Sequence, residues 1–440
     1  MSQPRRVAVI GAGIGGMAAA YDLVRAGCRV TIFESSEAVG GLAGGFTAPG
    51  WDWSVEKFYH HWFASDHDML DFIAEQGWSD RVIFRRPYTV VYYRDRFYPF
   101  DSIKTALLFP GLGWGVSKVR FGLVGLFLRL TNNWRPFEMT TVDTWMRRWA
   151  GERAYGLLWE PLLVGKFGPH YRQVNMAWMW ARLKSRTTRL GTFQGGFQAF
   201  CDALADRLRE LGVEIRLNSA VQGITLLPEG GLTLALKSGT QEFDQVLATT
   251  SPALLARLSP DLPPDYLQGL LSLRSMGAVV MVLALHHPLS PQGYYWYNLP
   301  KQAGFPFLAL VEHTNFLSPE YFGGEHIVYV GDYLDPDHEH FRLSKEQLLE
   351  KFVPALSRIN PAFKPDWVRA SWLYRTAYAQ PIPEVGHSRN IPAIQTPLPG
   401  LFFASMSQVY PWDRGTNFAV EIGRRAARMM LSQPASPPPT

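Results

Sequence analysis

The sequence predicts an α/β fold, and three observations carry that prediction. The chain opens with an apolar strand at 6–10, a glycine turn, a helix over 14–26 that stops at Gly27, and a second strand at 29–34. Its 440 residues exceed the usual size of one compact core, so two domains are expected. Beyond the opening unit, strand-like runs continue to alternate with amphipathic helical runs.

The opening unit carries a phosphate-binding signature. In VAVIGAGIGG, Gly11, Gly13 and Gly16 stand in GxGxxG register between strand and helix, and Glu34 closes the second strand. Gly11 permits the tight turn, Gly13 lets backbone approach a pyrophosphate, and Gly16 allows close helix–strand packing. Ile14 and Gly15 start the helix, whose first amides favour the anion. Glu34 is placed to accept hydrogen bonds from ribose hydroxyls, and its charge disfavours a 2′-phosphate. NADP is thereby excluded, while NAD and FAD stay open.

Composition narrows the partners. The chain is 47% hydrophobic and 18% charged, with 15 Trp, 27 Phe and 18 Tyr, which suits a large apolar interior or a cavity for flat or apolar ligands. A formal charge of +5 is too mild to argue for nucleic acid, though it does not oppose an anionic membrane surface. With only Cys28 and Cys201 there is neither a disulfide framework nor a metal-type spacing, and a reducing cytoplasm is the expected compartment. MSQPRR leads directly into the first strand, which leaves no room for a signal peptide.

A glycine-rich loop follows at 40–50, then a stretch dense in Trp, Tyr and His at 51–62. Segment 103–134 is apolar and carries Lys104, Lys118, Arg120 and Arg129, but its longest uncharged run, 105–117, is too short to span a bilayer. It reads as a buried lid or core helix, with peripheral contact to a membrane as the other reading. Residues 141–182 are helical in pattern. An amphipathic helix at 195–211 leads into the strand VEIRL, the hairpin-like run ITLLPEGGLTLAL and the strand QVLATT. A second sheet is expected around 276–285 and 327–333, a helix at 345–359, and a closing strand, loop and helix from LFFAS to RRAARMML. The tail from 433 to 440 is proline-rich and expected to be disordered. Asp337-His-Glu-His340 has metal-capable side chains but reads as a solvated turn, and no metal is expected.

From Glu34 through Ser35, Gly40, Gly41 and Leu42 to Gly44, the chain resembles the extended fingerprint of the flavin amine oxidase superfamily. That superfamily includes protoporphyrinogen oxidases, phytoene desaturases and UDP-galactopyranose mutases. The resemblance continues at Thr192-Phe-Gln-Gly195-Gly196-Phe and in the closing YPWDRGTNFAVEIGRRAARMM. It implies FAD, bound noncovalently, with Gly40 and Gly41 passing close to its pyrophosphate, backbone at Val221 against the adenine, and the helix start at Thr416, Asn417 and Phe418 facing the flavin pyrimidine. It further implies a discontinuous Rossmann-like FAD-binding domain from 1–70, 190–260 and 390–432, with an interleaved α+β substrate domain from 71–189 and 261–389.

Departures from the superfamily pattern bear on the reaction. Its amine oxidases commonly carry a lysine on a substrate-domain strand, but the comparable stretch LRSMGAVVMVLAL has none. Where many members have Gly-His beside the flavin, this chain reads Val55-Glu-Lys-Phe-Tyr-His60-His61. His60, Arg375, Tyr410 and Arg414 are the candidates for catalysis or substrate binding; each histidine is also an ordinary strand-end residue, and each arginine also a partner for an acid such as Asp413. The expectation is an FAD-dependent oxidoreductase, an oxidase, dehydrogenase or desaturase, taking hydride from a bulky, largely apolar or tetrapyrrole-like substrate. A reduced-flavin isomerase acting on a nucleotide sugar is the alternative, and a flavin-binding protein that has lost catalysis is a third reading.

Overall fold

The structure, a computed structural model, describes residues 3–113 and 115–433; residues 434–440 of the proline-rich tail lie outside the described residues. The opening strand, Arg6–Ile10, is buried from Val7 onward. It pairs in parallel with Arg29–Phe33 on one side and Gln245–Ala248 on the other. Glu214–Arg216 and Leu401–Phe403 extend the sheet to five strands, all parallel. Such a sheet must be covered on both faces. One face is covered by Ile14–Arg25, Phe197–Glu210 and Thr416–Ser432 through a shared apolar core. The other is covered by the meander Val221–Leu226, Leu232–Leu236, Gly239–Phe243 and the helix Pro252–Leu258. The hairpin read from the sequence is thus the first two strands of three.

A second, wider sheet has seven strands in the order Val368–Pro381, Ser275–Leu285, His326–Leu334, Ala309–Glu312, Tyr294–Asn298, Tyr88–Tyr93 and Arg96–Pro99. All neighbours are antiparallel except Tyr294–Asn298 with Tyr88–Tyr93. The two strands expected at 276–285 and 327–333 are adjacent, second and third from one edge of the sheet. The expected helix at 345–359 is α-helical only over Lys345–Phe352, then tightens to a 3₁₀ turn at Val353–Arg358, where Pro354 lacks an amide hydrogen to continue the ladder.

Helices Val142–Ala150, Glu160–Phe167 and Met176–Ser185 form a third layer. Against it rests Val116–Leu130, which corrects the lid-or-core reading of 103–134. Among its described residues only Leu128 is buried, and Val116, Val119, Leu123, Leu126, Phe127 and Leu130 are each more than half exposed. Phe121, Val124 and Leu128 are the residues it packs inward, and that narrow face cannot cover the rest. No helix among the described residues is long and apolar enough to cross a membrane.

Candidate functional site

Two of the glycines in the first turn serve different physical ends. A Cβ on Gly16 would lie 2.1 Å from the Gly11 carbonyl oxygen, so packing alone requires glycine there. A Cβ on Gly13 would meet nothing within 4 Å. Gly13 is the N-cap of Ile14–Arg25, with no side-chain cap on the first amides, so open space faces donors that need an acceptor. The Gly40-Gly41 turn closes on this point through a parallel bridge between Gly13 and Gly40 and a 2.9 Å bond from the Gly40 amide to the Ala12 carbonyl.

Glu34 is buried at the end of the second strand. Its Oε2 accepts from the Ala12 amide at 2.8 Å, and its Oε1 from the Ser36 amide at 2.9 Å and the Ser35 hydroxyl at 3.2 Å. Oε2 keeps a lone pair for a ribose hydroxyl. The Ser219 amide donates to the Glu34 carbonyl at 2.7 Å, which brings the chain leading to Val221 alongside.

Open space continues from Leu42, which shares a small cavity with Tyr59, His60, Tyr333 and Arg414. The last four also line a cavity of about 430 Å³ that ends on Gly415, Thr416, Asn417 and Phe418. Those residues start the helix Thr416–Ser432, whose N-cap Gly415 supplies no side-chain acceptor. The Thr416 hydroxyl instead accepts from Trp62 Nε1 at 2.9 Å, and Asn417 Oδ1 from the Met69 amide at 3.0 Å, fixing the helix start while leaving its amides to a ligand.

His60 and His61 both line the cavity. Burial pulls them down to about 4 and about 3, so both are neutral at pH 7. His60 Nδ1 bonds the Phe58 carbonyl, whereas His61 Nδ1 is buried with no hydrogen-bond partner among the described residues.

The cavity is cationic at one end. Lys166, from the last turn of Glu160–Phe167, reaches it and donates to Gln380 Oε1 at 3.0 Å. Arg182, Arg186 and Arg414 join it, with Asp413 as their shared counter-charge. Asp413 Oδ2 accepts from Arg182 at 3.3 Å; its Oδ1 accepts from Trp178 Nε1 and the Arg414 amide, each at 3.1 Å, and from Gln380 Nε2 at 3.3 Å. Burial pushes the Asp413 carboxyl up, but Lys166, Arg182 and Arg414 outweigh it and hold the group well below the ordinary carboxylate range. Burial, with repulsion from Arg182, Arg414 and Arg186, pulls Lys166 well below the usual lysine range, with Asp413 opposing.

Of the four catalytic candidates, the structure brings His60 and Arg414 together and leaves two outside. Arg375 lies on the face of Val368–Pro381 opposite Thr376, which lines the small cavity; its guanidinium donates to the carbonyls of His340, at 3.1 Å, and Leu343. Strand alternation points it away. The Tyr410 hydroxyl accepts from Asn175 Nδ2 at 3.1 Å, and its ring packs on Trp134 and His387. The turn at Asp337–His340 is less solvated than its sequence suggests, because His340 is buried against Phe352. Lys166, Arg182 and Arg186 went unread in the sequence. The strand Ser275–Leu285 indeed carries no lysine, yet one enters from a helix and meets Gln380, whose backbone pairs with Met276 of that strand.

Residues 14–431 match the model of a family described as flavin containing amine oxidoreductase. The mitochondrial protoporphyrinogen oxidase of Nicotiana tabacum is 26% identical over 260 residues, 50% of each chain. A tryptophan 2-monooxygenase of Pantoea agglomerans pv. gypsophilae is 33% identical over 147 residues, 30% of this chain and 22% of that protein. The chain thus spans half or less of the length of these relatives. Among solved structures, an Exiguobacterium sp. 255-15 protein assigned as a protoporphyrinogen oxidase superposes with a TM-score of 0.77 at 19% identity, covering 98% of this chain and 100% of that one. A reduced UDP-galactopyranose mutase gives 0.74 at 14% identity, covering 97% and 95%. These likenesses establish the fold.

Proposed function

The chain belongs to the flavin-containing amine oxidoreductase family, and from that premise we propose that it binds FAD noncovalently and oxidises a bulky, largely apolar or tetrapyrrole-like substrate. The observation that carries this reading is the open space at Gly13, the small cavity at Leu42, and the larger cavity that shares its walls and ends on the uncapped helix start at Gly415. A dinucleotide fits those residues. Gly13 with Gly40 and Gly41 would hold its pyrophosphate, Glu34 its ribose, the segment at Val221 its adenine, and the amides at Thr416–Phe418 its pyrimidine ring. Both cysteines are buried and neither lines the cavity, which supports a noncovalent cofactor.

When bound, FAD supplies a two-electron acceptor at its N5 atom. The chain's own part is alignment and electrostatics. Donors at the Thr416 helix end stabilise negative charge on the pyrimidine side, and apolar walls such as Leu158, Leu162 and Leu308 exclude water from the donor bond. Neutral His60 and His61 can pass or hold a proton without adding a further cation to a site that already has four.

That cationic cluster favours a second reading, a reduced-flavin isomerase acting on a nucleotide sugar, since arginines suit a diphosphate. Anaerobic mixing of the flavin-loaded protein with protoporphyrinogen IX, the substrate implied by the tobacco relative's name, separates the two. Bleaching of the flavin is expected on mixing, and porphyrin fluorescence once dioxygen is readmitted, because three two-electron transfers are needed per porphyrin and the flavin takes one at a time. Activity on a nucleotide sugar seen only after dithionite reduction, with no net redox change, would replace the first reading by the second.

A further inference from the structure

We propose that Arg186 is an anion-binding residue in the cavity, and that the substrate is amphipathic, with a carboxylate seated on Arg186 and an apolar body along the leucine-lined wall. This deepens the oxidoreductase reading and rests on it only in taking the cavity as the substrate's.

Lys166 and Arg414 both donate to Gln380 Oε1, at 3.0 and 3.1 Å, and Arg414 also to the Tyr333 hydroxyl. Arg182 is paired with Asp413, whose oxygens already accept from four donors. The other acid on the cavity wall, Asp66, accepts from the Phe63 amide at 2.9 Å. Arg186 stands apart. It caps the end of Met176–Ser185, one turn beyond Arg182, and among the described residues its guanidinium makes no hydrogen bond or ion pair, only a stand over the Phe63 ring at 5.7 Å.

The Arg186 side chain is exposed and lines the cavity. Desolvation at the cavity wall, with Arg182 and Arg414 adding repulsion and Asp413 opposing from a distance, pulls it down to about 9, so it is charged at neutral pH. A cavity-wall cation with no direct ion pair keeps its donors for a ligand, and a carboxylate takes them with a bidentate geometry that matches the guanidinium fork. The neighbouring wall of Leu157, Leu158, Pro161, Leu162 and Leu183 offers nothing polar from its side chains, which suits the rest of the molecule.

The test titrates 2-naphthoate and, as its neutral counterpart, 2-naphthamide into the flavin-loaded protein, following the flavin absorption. Naphthoate is expected to bind at least about tenfold more tightly than the amide, and Arg186→Gln to weaken naphthoate by about tenfold or more. The same variant should leave the amide's affinity and the flavin content unchanged, and Arg186→Lys should recover part of the loss. Equal affinities for the two ligands, no naphthoate binding, or naphthoate binding by Arg186→Gln at wild-type strength each overturn the proposal. A preparation that takes up no flavin counts against the FAD reading instead, and the two titrations are then read by tryptophan fluorescence.

A separate observation carries a second inference, that Val116–Leu130 seats on an anionic membrane surface. Its exposed residues at 116, 119, 123, 126, 127 and 130 recur at helical spacing and form one stripe, and Leu107 and Leu108 on the preceding helix are exposed as well. Residues 102–137 carry Lys104, Lys118, Arg120, Arg129 and Arg135 and no acid. A second copy of this face would set cations against cations, whereas anionic headgroups complement them. On the helix's inner side Phe121 stacks on Trp159, a cavity-lining residue, so the wall of the site adjoins the stripe.

Flotation of the full chain with phosphatidylcholine vesicles, with and without phosphatidylserine, tests this. Binding that requires phosphatidylserine, falls with salt, and is lost in Leu123→Glu/Leu126→Glu is expected, with flavin content unchanged in the variant. Wild-type flotation by that variant, absence of binding, or a stable dimer that the variant dissolves contradicts it.

Discussion

Replacing Gly13 by leucine is expected to abolish FAD binding while leaving the apoprotein folded. The backbone there has φ −71° and ψ 169°, ordinary for any residue, and an added Cβ meets nothing within 4 Å. The fold therefore accepts the side chain, which then fills the space in front of the helix amides. Losing two charge-assisted contacts to a pyrophosphate corresponds to a fall in affinity of roughly 100-fold or more. Gly16→Ala is the contrasting control, because its Cβ must displace the Gly11 carbonyl 2.1 Å away, and the melting temperature should drop with or without cofactor. FAD titration together with the apoprotein's melting curve checks both. If Gly13→Leu melts as low as Gly16→Ala, Gly13 serves packing and the cradle at Gly13 is lost as an argument.

Asp413→Ala is expected to cost about 3–5 kcal/mol of stability, because it leaves Lys166, Arg182 and Arg414 without their common counter-charge. For a chain of this size that corresponds to a fall in melting temperature of roughly 3–5 °C. Adding Lys166→Met removes one of the stranded cations and should recover part of the loss. An Asp413→Ala protein that melts within a degree or so of wild type would mean that water already compensates these cations, and the case for Arg186 as a ligand-seeking cation would weaken with it.

The parts of this molecule that were legible in its sequence are those whose logic is local. Gly11, Gly13, Gly16 and Glu34 lie within one βαβ unit, so their spacing reports their geometry directly. The closing helix start at Thr416 was readable for the same reason, since glycine and small polar residues precede an amphipathic run. The cationic end of the cavity is assembled from Lys166, Arg182, Arg186 and Arg414, brought together by helix and loop packing that no spacing encodes. The one available signal was Arg182 and Arg186, four apart at a helix end and hence on one face. Arg375 shows the converse error: its segment does approach the site, but a one-residue step along a strand reverses the side chain. The hairpin of Tyr88–Tyr93 and Arg96–Pro99 escaped notice because its turn places Arg94 and Asp95 at φ 50° and 59°, positions usually announced by Asn-Gly. The lid reading of 103–134 failed because apolarity alone does not say whether a helix faces the core or the outside.

The central claim is that this chain holds FAD noncovalently between the Gly13 cradle and the Thr416 helix start. Acid precipitation of the purified protein, followed by mass analysis of the supernatant, tests it most directly. The account predicts that flavin is released in full and has the mass of FAD. Flavin retained on the polypeptide, release of FMN alone, or a purified protein that carries no flavin and takes none up would contradict it.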